Sequence, residues 1–237
     1  MEIISHAANI TKGSGIVTTE KIKQAIDSPA NKIEIDLNLT KDGKFVCYRN
    51  PKFTGIKVSQ LSLEQIQTIY PSILGLQDVF NYVKGQKPIL MDIKDYDCDF
   101  YKLLSALLQN LETSDYNYLM AESNNLRLLN ELKTARSDVE TCLKFKMFAS
   151  FEKFKQSDIS SLSAIALPNR YFQDNNDYEL YKSVLGERQR MYALSYNRLL
   201  REKPELFDKY ISAGCDGIVT DEVMLLSRRL DKWKKYY

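Results

Sequence analysis

Glu34 and Asp36 stand two residues apart in the apolar run KIEIDLNL. A strand places both on one face, and two carboxylates sharing a face need a cation. Asp92 and Lys94 repeat that spacing in PILMDIK, and His6, the only histidine of the chain, closes EIISHA. Oxygen ligands of this kind suit a hard divalent ion, and the imidazole is the one side chain whose unperturbed charge changes near neutrality. Plainer roles fit the same residues: a solvent-facing strand edge for the carboxylates, a hydrogen-bonded structural histidine for His6, an ion pair for Lys94.

The elements that must position these groups alternate along the whole sequence. Strand-length apolar runs occur at 2–7, 32–39, 88–94, 116–122, 140–145, 164–168, 191–197 and 217–221. Segments of helical period separate them: TTEKIKQAI, LQDVFNYVK, DFYKLLSALLQNLE, NLRLLNELKTAR, SFEKFKQSD, DYELYKSVLG, ELFDKYISAG and MLLSRRLDKWKKYY. Ser150 and Asp177 are suited to cap helix starts, and the Gly in YISAGCDG to end a helix in left-handed conformation. Eight strand-then-helix units predict an α/β fold, a (β/α)8 TIM barrel forming one domain over residues 1–237. Function is then expected at the strand C-terminal ends, where His6, Glu34, Asp36, Asp92, Lys94, Asn197 and Asp221 fall. Asn197 and Asp221 are each placed to orient a substrate, and Asp221 equally to cap the segment after it. The stretch from Asp42 to Tyr70, with its own extended run KFVCYRN, reads as an excursion over the barrel mouth.

Composition narrows the partners. The 237 residues carry 33 basic and 31 acidic side chains, a formal net charge of +2, which argues against nucleic-acid binding driven by bulk charge. No window reaches the length of apolar chain that spans a bilayer, so stable membrane insertion is not expected. MEIISHAANI has no basic segment followed by a long apolar one, which implies a cytoplasmic protein. Cys47, Cys98, Cys142 and Cys215 make no zinc-type cluster and read as free thiols. Composition leaves the oligomeric state open.

Four stretches carry a family resemblance. EIDLNLTKDGKFVCYRNP, VSQLSLEQIQ, GLQDVFNYVKGQKPILMDIK and CDGIVTDEV, in this order and spacing, resemble the glycerophosphodiester phosphodiesterase family, a barrel superfamily with phospholipase-C-like and sphingomyelinase-D-like branches. The resemblance implies a phosphoric diester hydrolase acting on a small glycerophosphodiester-like molecule in lipid or glycerol metabolism. It implies Mg²⁺ or Ca²⁺ on Glu34, Asp36 and Asp92, His6 as a catalytic base, and Lys94 near the phosphate. Asn197 and Arg49 are further expected substrate contacts. Asp92 stands where the family usually has glutamate, a feature shared with the sphingomyelinase-D-like branch.

The sequence also departs from the family. Ala7 follows His6 where an arginine is usual, Ile16-Val17 stand where a Glu-Asn pair is usual, and Arg49 stands in place of the second histidine. Arginine stays charged at any working pH, so Arg49 can clamp a phosphate but not protonate a leaving group. Three functions are therefore expected: a metal-dependent phosphodiesterase with altered acid-base machinery, an inactive barrel that binds a phosphorylated ligand or a protein, and a cyclising phospholyase.

Overall fold

A computed structural model describes residues 1–11, 13, 15–94, 98–112, 119–145, 151–155, 158–172, 178–195 and 202–236. Eleven strands occur among them: β1 (Glu2–Ser5), β2 (Lys32–Leu39), β3 (Phe45–Cys47), β4 (Lys52–Phe53), β5 (Ile56–Lys57), β6 (Ile89–Lys94), β7 (Leu119–Ser123), β8 (Glu140–Lys144), β9 (Ala164–Pro168), β10 (Arg190–Leu194) and β11 (Gly217–Thr220). The helices are α1 (Thr19–Asp27), α2 (Leu63–Ile69), α3 (Leu76–Val83), α4 (Phe100–Glu112), α5 (Leu126–Ala135), α6 (Phe151–Lys155), α7 (Tyr178–Lys182), α8 (Pro204–Ser212) and α9 (Val223–Tyr236).

Parallel pairing runs β1-β11-β10-β9-β8-β7-β6-β2, and β1 pairs with β2 to close the ring. This is the eight-stranded barrel that the alternation predicts. A closed parallel sheet wrapped in helices is buried on both faces, which is why its strands read as nearly continuous apolar runs. Alternate residues then divide between two cores. Ile33, Ile35, Leu37, Ile89 and Met91 face outward into the large cluster shared with the helices. Ile4, Leu90, Met120, Cys142, Ala164, Ala166, Tyr192, Leu194 and Val219 form a separate cluster, the filled lumen. At the N-terminal end Lys32 Nζ lies 2.5 Å from Glu2 Oε2, and the Tyr192 hydroxyl donates to the same oxygen at 2.9 Å. This network closes the bottom of the barrel.

Capping chemistry sets several helix starts. Thr18 accepts from the Lys21 amide ahead of α1, Asn125 from the Leu128 amide ahead of α5, and Ser62 with Gln65 forms a capping box on α2. Gly214 takes φ +68° after α8, the left-handed ending expected of YISAGCDG. Ser150 and Asp177 lie outside the described residues. The excursion after β2 pairs β3 antiparallel to β2 and packs a small core of its own from Val46, Phe53, Val58, Leu61, Ile66 and Ile73. All four cysteines are free. Among the described residues, no helix is long and apolar enough to cross a membrane.

The lumen supports the mouth above it, so truncation there should be felt globally. Met120→Ala should lower stability by about 2–5 kcal/mol in denaturant titrations, the cost of a large-to-small change in a packed interior. A loss below about 1 kcal/mol would show that the lumen is loosely filled.

Candidate active site at the barrel mouth

One strand register assembles the site. Asp36 pairs with Asp92 and Asp92 with Glu122, so three carboxylates from β2, β6 and β7 occupy a single rung. Glu34 lies one inward-facing position below Asp36 on β2. All four side chains are almost fully buried. Lys94 on β6 and Lys144 on β8 are the cations among them. Lys94 Nζ lies 2.6 Å from Asp36 Oδ1 and also contacts Asp92. Lys144 Nζ contacts Asp92 and lies 3.2 Å from Glu122 Oε1.

Charge does not balance within this group. Among the described residues four carboxylates face two ammonium groups, and the remainder sits where solvent screens little. Lys94 and Lys144 hold Asp92 well below the usual carboxylate range against the cost of its burial. Glu34 responds the other way: burial first, then the charge of Asp36, pushes it up to about 7. Burial likewise raises Glu122.

Glu34 Oε1, Asp36 Oδ2 and Glu122 Oε2 are buried with neither a hydrogen bond nor an ion pair among the described residues. A carboxylate can only accept, so such oxygens require a cation or a proton. Glu34, Asp36 and His6 each offer a ligand atom within 4.8 Å of the others. The partnerless oxygens and the negative excess fit one hard divalent ion on the Glu34 and Asp36 carboxylates, with the His6 ring nitrogen the third group within reach.

His6 approaches from the side of β1. The strand expected over 2–7 ends at Ser5, and a tight turn over His6–Ala8 follows with Ala7 at φ 50° and Ala8 at φ 55°. Left-handed alanine costs roughly 1–2 kcal/mol per residue. The turn has a local function, since it aims the Ala7 amide at Glu34 Oε2, 2.7 Å away. His6 Nδ1 lies 2.8 Å from Asp221 Oδ1, which also accepts from Asn9 Nδ2 at 2.9 Å. Arg49 Nη1 lies 3.2 Å from His6 Nε2.

These partners assign the tautomer. A guanidinium only donates and an ionised carboxylate only accepts, so neutral His6 carries its proton on Nδ1 and presents the Nε2 lone pair to Arg49. Burial opposes a charge on His6, but Glu34 and Asp221 outweigh it and raise its pKa. Burial also opposes ionisation of Asp221, yet the His6 hydrogen bond and charge hold its pKa below the usual range. Asn38, the next inward residue after Asp36, donates to the backbone carbonyls of Tyr48 at 2.5 Å and Asn50 at 3.3 Å, fixing the chain on both sides of Arg49.

The fold thus brings together His6, Glu34, Asp36, Asp92, Lys94 and Arg49. Asn197 lies outside the described residues. Sequence reasoning did not reach Glu122, Lys144, Asn38 or the pairing of Asp221 with His6. Glu122 and Lys144 did carry a signal, each being a charged residue that follows buried apolar positions near the C-terminal end of its strand.

Glu34 and His6 are both raised, so both favour the folded state most at low pH. The stability contributed by Glu34 protonation is complete below its unfolded pKa near 4.5 and is lost as pH climbs through about 7. Metal-free protein should therefore lose on the order of 3 kcal/mol across that window in urea titrations, and saturating Mg²⁺ should flatten the profile. A metal-free profile that rises from pH 5 to 8 would contradict the charge assignment.

The sequence matches no protein-family model and no curated protein. Its fold does match solved structures. A glycerophosphodiester phosphodiesterase from Thermotoga maritima is 23% identical, with a TM-score of 0.73 over 89% of this chain and 90% of that one. One from Parabacteroides distasonis is 16% identical, with a TM-score of 0.81 over 98% of each chain. A phosphodiesterase from Oleispira antarctica, solved in complex with its product sn-glycerol-3-phosphate, is 13% identical, with a TM-score of 0.76 over 98% of this chain and 97% of that one. Over nearly its whole length, then, the chain has the (β/α)8 barrel fold of solved glycerophosphodiester phosphodiesterases.

Proposed function

We propose that this barrel is a divalent-metal-dependent phosphodiesterase acting on a small glycerophosphodiester-like molecule. The observation that carries this reading is the excess of buried carboxylate over ammonium charge beside a His6–Asp221 pair, at the strand ends where barrel enzymes place their chemistry. The fold shared with glycerophosphodiester phosphodiesterases, and with a phosphodiesterase solved with its product sn-glycerol-3-phosphate, supports the substrate class.

Glu34 and Asp36 would hold the ion, with Asp92 drawn between that role and its two lysines. When bound, Mg²⁺ or Ca²⁺ supplies the positive charge that neutralises non-bridging phosphate oxygens. His6 Nε2 is the proton acceptor for the attacking hydroxyl, either of water or of the substrate itself. Asp221 keeps Nδ1 protonated and stabilises the imidazolium that forms. Arg49 must leave Nε2 before that nitrogen can take a proton, and an incoming phosphate is the anion it would turn to. Lys94 adds a second cation beside the phosphate.

Arg49 supplies no proton to the departing alkoxide, so turnover should depend steeply on the leaving group. An aryl phosphodiester should react far faster than a glycerol diester, and Arg49→His should help the alkyl substrate more than the aryl one, by about 10-fold. His6→Ala should lower kcat by about 10²–10⁴ while metal binding persists. Rates on a matched aryl and alkyl series, with and without Mg²⁺, test the reading. Equal rates for wild type and His6→Ala would remove the base.

The Arg49 contact on His6 Nε2 also favours a second reading, a barrel that binds phosphorylated ligands without turning them over. Metal-dependent binding of glycerol 3-phosphate with no hydrolysis of any diester would select it.

A further inference from the structure

We propose that Lys144 is a built-in cation standing between Asp92 and Glu122 where a second metal ion would otherwise sit, so that the mouth takes one divalent ion only. The inference rests on the metal reading above and concerns a residue that reading does not use.

Lys144 reaches the carboxylate rung from β8, with its side chain largely buried. Its ammonium contacts Asp92 and lies 3.2 Å from Glu122 Oε1. Glu122 is fully buried, and its Oε2 has no partner among the described residues. A carboxylate in that state needs a fixed positive charge beside it, and among the described residues Lys144 is the cation paired with it. The register supplies the spacing. Asp36, Asp92 and Glu122 sit on adjacent strands of one rung, so the Asp36 side and the Glu122 side share Asp92 between them. Two-metal phosphoryl-transfer sites hold their ions roughly 3.5–4 Å apart around such a shared carboxylate. Here one of the two positions carries an ammonium on a side chain.

Charge gives the same count. Among the described residues, with all four carboxylates ionised as an ion would hold them, both lysines leave an excess of two negative charges, enough for one divalent ion; without Lys144 it becomes three, and Asp92 and Glu122 share an exposed acceptor pair.

Mn²⁺ binding measured by titration calorimetry, with electron paramagnetic resonance of the bound ion, tests this directly. Wild type should bind one Mn²⁺ with an isolated-ion spectrum. Lys144→Met should bind two, with a spin-coupled spectrum. Lys144→Arg keeps the charge, and the double variant Glu122→Gln with Lys144→Met keeps the balance, so each should bind one. Two ions in wild type, or one in a folded Lys144→Met protein, would overturn the inference while leaving the metal reading intact. Absence of any binding in wild type would defeat the metal reading and this inference together. Should Lys144→Met fail to fold, Lys144→Gln, which also removes the charge, should bind two ions, and a single ion there would overturn the inference just as well.

Discussion

An uncompensated negative charge inside the barrel mouth is the constraint on which the other features depend. Asp36, Asp92 and Glu122 on one rung, with Glu34 just below, bring four carboxylates out of water against two ammonium groups. A buried charge without a partner is among the most expensive things a protein can hold. The molecule meets that cost in three ways. Lys94 and Lys144 bracket Asp92, the strained turn at Ala7 points a backbone N–H at Glu34, and Glu34 stays partly protonated near neutrality. What is left over matches one divalent cation.

Beside that charge stands a second set of groups, which feels it through the effect of Glu34 on His6. His6, Asp221 and Arg49 form a set balanced in itself, in which every ring nitrogen has a partner of the right kind. Asn38 links the two sets, rising from the metal-side strand to hold the carbonyls that flank Arg49. Below them the lumen is apolar, and it ends in the Glu2–Lys32–Tyr192 network. A packed floor excludes water from beneath the carboxylates, which raises both the cost of their charge and the value of an ion that cancels it.

Much of this was legible in the sequence, because a parallel barrel writes itself as apolar runs in alternation with helical periods. The eight strands fall within the stretches read from periodicity, with β7 running one residue past its stretch to Ser123 and β10 beginning one earlier at Arg190. The i, i+2 spacing of Glu34 with Asp36 and of Asp92 with Lys94 put those side chains on one face, and the structure does place them together. What periodicity cannot supply is register between strands distant in sequence. That Lys144 would meet Asp92 across 52 positions, or Asp221 meet His6 across 215, depends on how the sheet closes. The excursion after β2 was legible as an extended run over the mouth. Its role in presenting Arg49 to His6 Nε2 was not, because that contact depends on a single asparagine outside the excursion.

On the proposed metal-dependent function, Glu34 is the group that gives up a proton when the ion binds. Calorimetric titration of Mg²⁺ in buffers of differing ionisation enthalpy counts the protons released per ion bound. At about pH 6, below the raised pKa of Glu34, binding should release a substantial fraction of a proton, and the release should vanish above about pH 9. Binding that releases no proton at pH 6, or that takes protons up, would contradict the claim that the carboxylate excess is what the ion neutralises.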